Sequence, residues 1–308
     1  MVKMFKYIAL CILVITFIPI GLFLWFELTF DVTKMPKNYG NVDSQLFESN
    51  GDKQPLVVYF GGSEGGNGMA SKRAEKEVKV YTDNGYALLA IGYFGMRGLP
   101  SQLDRISLNA IYDEIERVAQ KDNIDANCIM VAGGSKGAEL ALTIASKFPT
   151  IKGAISLAGS HVVFAGTSPF TDGNASSFML NDQQVPFVPF TKAILPSLLS
   201  GDLRQAYELM LEDTDIVNNA VINVENINGP ILLTSGEKDQ IWPSEEMSDE
   251  VVKRLKSLNF AHAFKHIRVP NGDHFQPQND YHHDVVNFLD SHFLPYCKGY
   301  KTQVVLND

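Results

Sequence analysis

Residues 128–142 constrain the fold of this chain more than any other stretch. They begin with an apolar run rich in β-formers and continue through a Gly-x-Ser-x-Gly motif, centred on Ser135, into an apolar pattern with helical spacing. This pattern predicts a strand, a sharp turn and a helix. In such a turn the serine is strained and exposes its hydroxyl, while the glycines let strand and helix approach closely. We therefore predict that Ser135 is a nucleophile; the alternative is a glycine-rich turn with an idle serine.

The stretches on either side alternate between strand-like and helix-like patterns. Apolar runs typical of strands fall at residues 55–60, 86–91, 151–157, 230–235 and 263–269. Their alternation with amphipathic helical patterns predicts a mostly parallel sheet with helices on both faces. With 45% apolar and 20% charged residues among 308, the chain can bury one large core. The predicted class is therefore α/β.

Two residues that follow late strands complete a candidate catalytic triad. Asp239 comes after one of these strands and His274 after the next. Both are expected at the carboxyl edge of the sheet, beside Ser135. The chain order Ser, Asp, His is that of an α/β-hydrolase, which is the fold that we predict. In this set His274 is the general base, and Asp239 holds its imidazole in the required tautomer.

The predicted oxyanion hole consists of backbone N–H groups. One comes from Lys136, which opens the helix after the serine, and the other from the turn formed by Gly62 and Ser63. The neighbouring acids fit the triad less well, because Glu237 lies too near its strand and Asp273 adjoins the base. No metal site or cofactor is expected.

The histidines of the last helix support that expectation. The paired His282 and His283 cannot share one helix face, so they are not expected to bind a metal ion together. With His292 they are predicted to be surface groups.

The alternation lapses between residues 161 and 228, which predicts a lid-like excursion after the sixth strand. Its many aromatic residues either line an apolar substrate pocket or form the core of the excursion itself. His161, Phe164 and Trp242 are the candidate pocket residues. For His161 the alternative is a structural group at the hinge of the excursion.

An uncharged run at residues 7–26 is long enough, as a helix of about 30 Å, to span a bilayer. Bulky residues follow it and no small-residue cleavage site does, which favours an uncleaved single-pass anchor over a signal peptide. Lysines flank it almost equally, but the short basic start favours a catalytic domain outside the cytoplasm. The expected organisation is an anchor (1–30), a connector (31–54), a catalytic domain (55–296) and a tail (297–308).

Charge and cysteine content narrow the expected partners. The net charge of −9 and the lack of a basic patch argue against nucleic acid. The expected partners are a small acyl substrate and, through the anchor, a membrane. The spacing of Cys11, Cys128 and Cys297 suggests neither a zinc site nor a disulfide framework.

At these motifs the chain resembles the C-terminal catalytic domain of the acyl-CoA thioesterase / bile acid-CoA:amino acid N-acyltransferase family. The resemblance covers about residues 55–293 and is carried by FGGSEGG at 60–66, GGSKGAEL at 133–140 and WPS at 242–244. It implies an α/β-hydrolase fold, the triad Ser135, Asp239 and His274, and a long-chain acyl thioester as substrate.

The resemblance also bears on the type of reaction. Family members that transfer the acyl group to an amino acid have cysteine where this chain has Ser135, so the serine implies hydrolysis. The β-rich domain that precedes the catalytic domain in the family has no counterpart in residues 31–53. An exported domain would also meet little CoA. The chain is therefore expected to be a serine hydrolase of acyl thioesters or other acyl esters, with a non-catalytic binding protein as the alternative.

Overall fold

A seven-stranded sheet forms the centre of the structure, a computed structural model that describes residues 30–167 and 173–298 together with Gly21. Its strand order is β1-β3-β2-β5-β6-β9-β10, and every neighbouring pair is parallel except β1 with β3. The strands are β1 (Asp43–Phe47), β2 (Gln54–Phe60), β3 (Ala87–Gly92), β4 (Ile106–Ser107), β5 (Ile124–Gly134), β6 (Ala154–Leu157), β7 (Phe178–Leu180), β8 (Gln183–Gln184), β9 (Ile231–Gly236) and β10 (Phe264–Val269).

Helices follow most strands of the central sheet. The α-helices are α1 (Glu75–Thr82), α2 (Leu108–Ala119), α3 (Lys136–Lys147), α4 (Leu195–Ser200), α5 (Leu203–Met210), α6 (Thr214–Ala220), α7 (Ser244–Ser257), α8 (Gln276–Asn279), α9 (His282–Phe288) and α10 (Leu294–Cys297). A π-helical segment at Leu289–Phe293 joins the last two. Short 3₁₀ turns lie at Gly68–Ala70, Lys72–Ala74, Lys192–Ile194 and Val224–Asn226.

Both faces of the central sheet are buried, as β2 shows. Val58 and Phe60 pack into one hydrophobic core, whereas Val57 and Tyr59 pack into a second core. Successive side chains of a strand point to opposite faces, so the two cores lie on the two sides of the sheet. This explains why inner parallel strands such as β2 and β3 are nearly continuous apolar runs, whereas the edge strand β10 is not. The mostly parallel sheet predicted from the sequence is confirmed.

An excursion leaves the central sheet after β6 and returns at β9. It contains α4, α5, α6 and the strands β7 and β8, which form a small second sheet with β4, a strand that precedes α2 in the chain. The two ends of the excursion pair with each other, since Val162 bridges to Val221 and the N–H of Ile222 donates to the carbonyl of His161 at 2.9 Å. Its interior is a separate hydrophobic core that includes Phe164 and is completed by Trp242 and Met247, which follow β9. The excursion is therefore tied down at its base and packs both on its own residues and on the segment after β9.

The predicted membrane anchor falls in residues 1–30, nearly all of which lie outside the described residues. Within the part of the chain that is described, no helix has the length and apolar character needed to cross a bilayer. The structure describes Phe30, the last residue of the predicted anchor, and the whole connector (31–54). The Arg105 guanidinium lies 5.1 Å from the centre of the Phe30 ring and donates to the carbonyls of Val32 and Lys34, which fixes the connector against the catalytic domain.

A disulfide bond joins Cys128 in β5 to Cys297 in α10, with the two Cα atoms 5.4 Å apart. The spacing of the cysteines gave no indication of it, because 169 residues separate the pair and only the fold brings them together. The bond attaches the end of α10 to β5, the strand that leads into Ser135. Disulfides of this kind are typical of proteins in oxidising compartments.

We expect this disulfide to contribute to stability mainly by constraining the unfolded chain. Cys297→Ser should lower the free energy of unfolding by about 2–4 kcal/mol, measured by urea denaturation. The control is the double variant Cys128→Ser/Cys297→Ser with and without reductant. Reductant should destabilise the wild type and leave the double variant unchanged; an equal response of both would contradict a stabilising role.

Candidate active site

Ser135 lies at the junction of β5 and α3 with φ 54° and ψ −121°. A positive φ is costly for a residue with a Cβ, by about 1–3 kcal/mol, and persists only where the surroundings impose it. Here the Ser135 N–H donates to the carbonyl of Leu157 at 2.9 Å, and its carbonyl accepts from the N–H groups of Ala138 and Glu139. The strand on one side and the helix on the other therefore hold the serine in place.

The glycines of the motif are required by close packing. A methyl group built on Gly133 would lie 2.3 Å from the carbonyl oxygen of Gly137. One built on Gly137 would lie 2.4 Å from the carbonyl oxygens of Phe60 and Gly61. Such contacts exclude any side chain at these positions. The helix after Ser135 is thereby pressed against the loop that follows β2.

His274 and Asp239, which follow β10 and β9, are in direct contact. The Nδ1 atom of His274 lies 2.8 Å from Oδ2 of Asp239, and both side chains are buried. Because a carboxylate only accepts hydrogen bonds, Nδ1 carries a hydrogen, and in the neutral imidazole Nε2 is then the acceptor. The other Asp239 oxygen accepts from the N–H groups of Ile241 (2.9 Å) and Trp242 (3.2 Å). The carboxylate is therefore fixed on both sides.

Trp242, which follows β9, packs on this pair and connects it to two aromatic residues of the excursion. The Trp242 ring lies 5.9 Å from the His274 ring, edge to face, and packs against Tyr207 (5.5 Å) and Phe164 (6.0 Å). Phe164 and Trp242 are fully buried. Both candidate pocket residues therefore belong to the packed core beside His274. Arg204 of α5 also donates to the carbonyl of Asp239 at 3.0 Å, which connects the excursion to the site.

The predicted oxyanion-hole donors are in different environments. Lys136 is the first residue of α3, so its N–H has no acceptor within the helix. The N–H of Gly62 donates to Oε1 of Glu64 at 2.9 Å and is therefore occupied. Ser63 is exposed beside it. Sequence reasoning missed the Glu64 contact, because nothing in the order of residues indicates that this side chain folds back on its own loop.

Gln278, in α8, links the loop that carries His274 (270–275, the histidine loop) to the turn around Ser135 (133–137, the elbow). Its Nε2 donates to the carbonyl of His274 at 2.8 Å. A methyl group built on Gly134 would lie 2.2 Å from its Oε1, so the side chain rests directly on the residue before Ser135. Sequence reasoning also missed this residue. The contact brings the His274 loop against the end of β5.

Two charged side chains are fully buried just behind Ser135. Lys136 Nζ lies 2.6 Å from Oε1 of Glu139, and that oxygen also accepts from the N–H of Phe164 at 3.2 Å. Burial lowers the pKa of Lys136 and raises the pKa of Glu139 to about 7. The other Glu139 oxygen has no hydrogen-bond partner among the described residues. The pair joins the elbow helix to the start of the excursion.

Breaking this pair should be strongly destabilising. Lys136→Met would leave Glu139 buried without its cation, and losing one partner of a buried ion pair costs about 3–5 kcal/mol. The measurement is the free energy of unfolding in urea. Lys136→Met/Glu139→Leu is the matched control, because it removes both charges and should recover most of the loss. A single variant as stable as the wild type would refute this prediction.

The competing acids have other partners. Glu237 accepts from the N–H of Asn271, and Asp273 accepts from the N–H groups of Phe275 and Gln276, both at 2.9 Å. Neither carboxylate therefore holds the His274 ring, which lies against Asp239.

The remaining histidines lie apart from this pair. His161 lines a cavity of about 130 Å³ with Glu250 and Arg254, and burial lowers its pKa to about 4. Since its carbonyl also pairs the two ends of the excursion, this position fits the hinge alternative. His282 was predicted at the surface and that was wrong, because it is buried and its Nδ1 lies 2.9 Å from the Tyr81 hydroxyl. Among the described residues no cluster of His, Cys, Asp and Glu could hold a metal ion.

Known proteins of similar structure share this fold. An acylaminoacyl peptidase from Pyrococcus horikoshii superposes with a TM-score of 0.55 at 16% identity, covering 82% of this chain and 39% of that one. A putative alpha/beta hydrolase from Agrobacterium tumefaciens superposes with a TM-score of 0.53 at 14% identity, covering 86% and 95%. The parallel sheet with a serine on its strained strand–helix turn defines an α/β hydrolase.

Sequence similarity assigns the chain to one family within this fold. The family model described as "BAAT / Acyl-CoA thioester hydrolase C terminal" matches residues 108–278, more than half of the chain, and the chain belongs to that family. Acyl-coenzyme A thioesterase 3 of Mus musculus is 25% identical over 228 residues, which are 73% of this chain and 49% of the mouse protein. The chain spans about half the length of the curated relatives that it matches. The family predicted from the sequence motifs is confirmed.

Proposed function

We propose that this protein is a serine hydrolase that cleaves an acyl thioester or acyl ester through an acyl-enzyme intermediate. The observation that carries the proposal is the contact of His274 with the buried Asp239, at the sheet edge where Ser135 lies on its strained turn. Similarity to mammalian acyl-CoA thioesterases supports the acyl thioester class. An intact set of these three residues argues against the alternative of a non-catalytic binding protein.

In the proposed reaction His274 Nε2 removes the proton of the Ser135 hydroxyl as its oxygen attacks the acyl carbon. Asp239 stabilises the resulting imidazolium without taking its proton. The negative charge that develops on the acyl oxygen is stabilised by the N–H groups of Lys136 and Ser63. The leaving group departs with the proton held by His274. Water then attacks the acyl-enzyme by the same steps and regenerates Ser135.

A second candidate is an ester hydrolase that does not use CoA. The observation that favours it is the disulfide between Cys128 and Cys297, since such bonds are rare in the reducing cytosol. Together with the apolar run at residues 7–26, it supports a catalytic domain outside the cytoplasm, held at a membrane. There the substrates in reach would be lipid or other acyl esters rather than acyl-CoA.

The test combines labelling and a substrate panel. A fluorophosphonate probe should label the purified protein at Ser135, which would exclude a binding protein. The panel then pairs each acyl chain as its CoA thioester and as its p-nitrophenyl ester, with thiol or nitrophenol release as the readout. Preference for the CoA series would support the thioesterase, and preference for the esters would support the second candidate. No labelling and no turnover of either series would overturn the proposal.

A further inference from the structure

The loop after β2, at residues 61–66, carries an acidic side chain that turns back toward the elbow. Oε1 of Glu64 accepts from the Gly62 N–H at 2.9 Å. The carboxylate lies so close under the loop that a methyl group built on Gly61 would be 2.9 Å from Oε1. Its position is therefore set by a main-chain hydrogen bond and by packing on two glycines, although the residue is exposed.

This position puts a negative charge beside Ser135. A methyl group built on Gly62 would lie 2.8 Å from Oε2 of Glu64 and 3.2 Å from the Cβ atom of Ser135. Gly62, which has no side chain, thus lies between the Glu64 carboxylate and Ser135, the predicted nucleophile. A carboxylate at this position acts on any charge that a substrate or transition state carries next to Ser135, even near a protein surface.

Little in the surroundings offsets this charge. None of the ion pairs within 30–167 and 173–298 involves Glu64. Glu64 lines a cleft of about 270 Å³ that reaches Gly62 and Gly134 of the candidate site. The other ionisable groups of the cleft include Arg73, Glu77 and His282; burial lowers the pKa of His282 and favours its neutral form. Two carboxylates therefore face one exposed guanidinium.

We propose that Glu64 is a specificity-determining residue that favours substrates with cationic or neutral leaving groups over those with anionic ones. This inference rests on the proposed hydrolase function. A polyanionic leaving group such as CoA is repelled as it approaches and departs past the Glu64 carboxylate, whereas a cationic group is attracted. The same charge opposes the negative charge that develops on the acyl oxygen, so it acts on every substrate and most strongly on the anionic ones.

The experiment compares three thioesters of one acyl chain on the full-length protein: an acylthiocholine, an S-ethyl thioester and the acyl-CoA. Glu64→Gln removes the charge and keeps an oxygen that can accept from Gly62. It should lower the ratio of kcat/KM for the thiocholine to that for the CoA ester by about tenfold. In the wild type that ratio should fall as salt rises, because salt screens the carboxylate.

Two further variants separate charge from structure. Glu75→Gln removes an exposed carboxylate that pairs with Lys79 at 2.8 Å on α1, and it should leave the ratio unchanged. Glu64→Ala should shift the ratio as Glu64→Gln does. An unchanged ratio in Glu64→Gln, or an equal loss on all three substrates in both Glu64 variants, would overturn the specificity role. A wild type inactive on all three thioesters and on p-nitrophenyl esters would instead overturn the hydrolase function and this inference with it.

Discussion

Ser135→Ala is expected to lower the turnover of p-nitrophenyl esters by about five to six orders of magnitude. The residual activity would be non-covalent. Without Oγ no acyl-enzyme forms, and His274 has no hydroxyl to deprotonate. Labelling by a fluorophosphonate should disappear as well. The change removes one oxygen atom and keeps a Cβ at the same φ of 54°, so the midpoint of thermal unfolding should hardly move.

The control for this prediction is Ser257→Ala. Ser257 lies at the end of α7, where its hydroxyl donates to the carbonyl of Arg254 at 2.9 Å, so the change removes the same atom outside the candidate site. It should retain normal turnover and labelling. If Ser135→Ala hydrolysed p-nitrophenyl esters at a rate comparable to the wild type, Ser135 would not be the nucleophile.

The part of the fold that the sequence predicts well depends on local signals. The strand and helix around Ser135 follow from an apolar run, glycines and helical spacing within one short stretch. The position of Asp239 and His274 at one edge follows from the parallel order of the strands, because the carboxyl ends of parallel strands lie together. Once alternation indicated a parallel sheet, chain order alone brought these residues to the same edge.

Other features depend on contacts between distant residues, and sequence order does not encode them locally. The disulfide between Cys128 and Cys297 closes across 169 residues. The burial of His282 depends on Tyr81, which lies on another helix. Whether Glu64 points to solvent or folds under Gly62 depends on a rotamer and on the shape of one loop. In each case the decisive partner becomes known only when the elements are packed.

The choice of the triad acid between Asp239 and Asp273 depends on both the sequence and the packed structure. Asp239 follows one late strand and Asp273 directly precedes His274, and the sequence disfavours Asp273 because it adjoins the base. The structure gives each carboxylate a distinct set of partners. Asp239 contacts the ring nitrogen of His274, whereas Asp273 accepts from backbone N–H groups at the start of α8. The difference leads to opposite expectations for the two asparagine variants.

Asp239→Asn is expected to reduce kcat by about four orders of magnitude with little change in KM, because it alters the tautomer of His274. The oxygen of the new amide will stay with the N–H groups of Ile241 and Trp242, which directs its NH₂ group at Nδ1. Nδ1 must then accept, so the hydrogen moves to Nε2 and the ring cannot take the serine proton.

The control is Asp273→Asn, which keeps an acceptor oxygen toward the N–H of Phe275; its kcat should remain within about threefold of the wild type. Steady-state kinetics of both variants decide the matter: near-normal kcat in Asp239→Asn with a large loss in Asp273→Asn would move the acid role to Asp273.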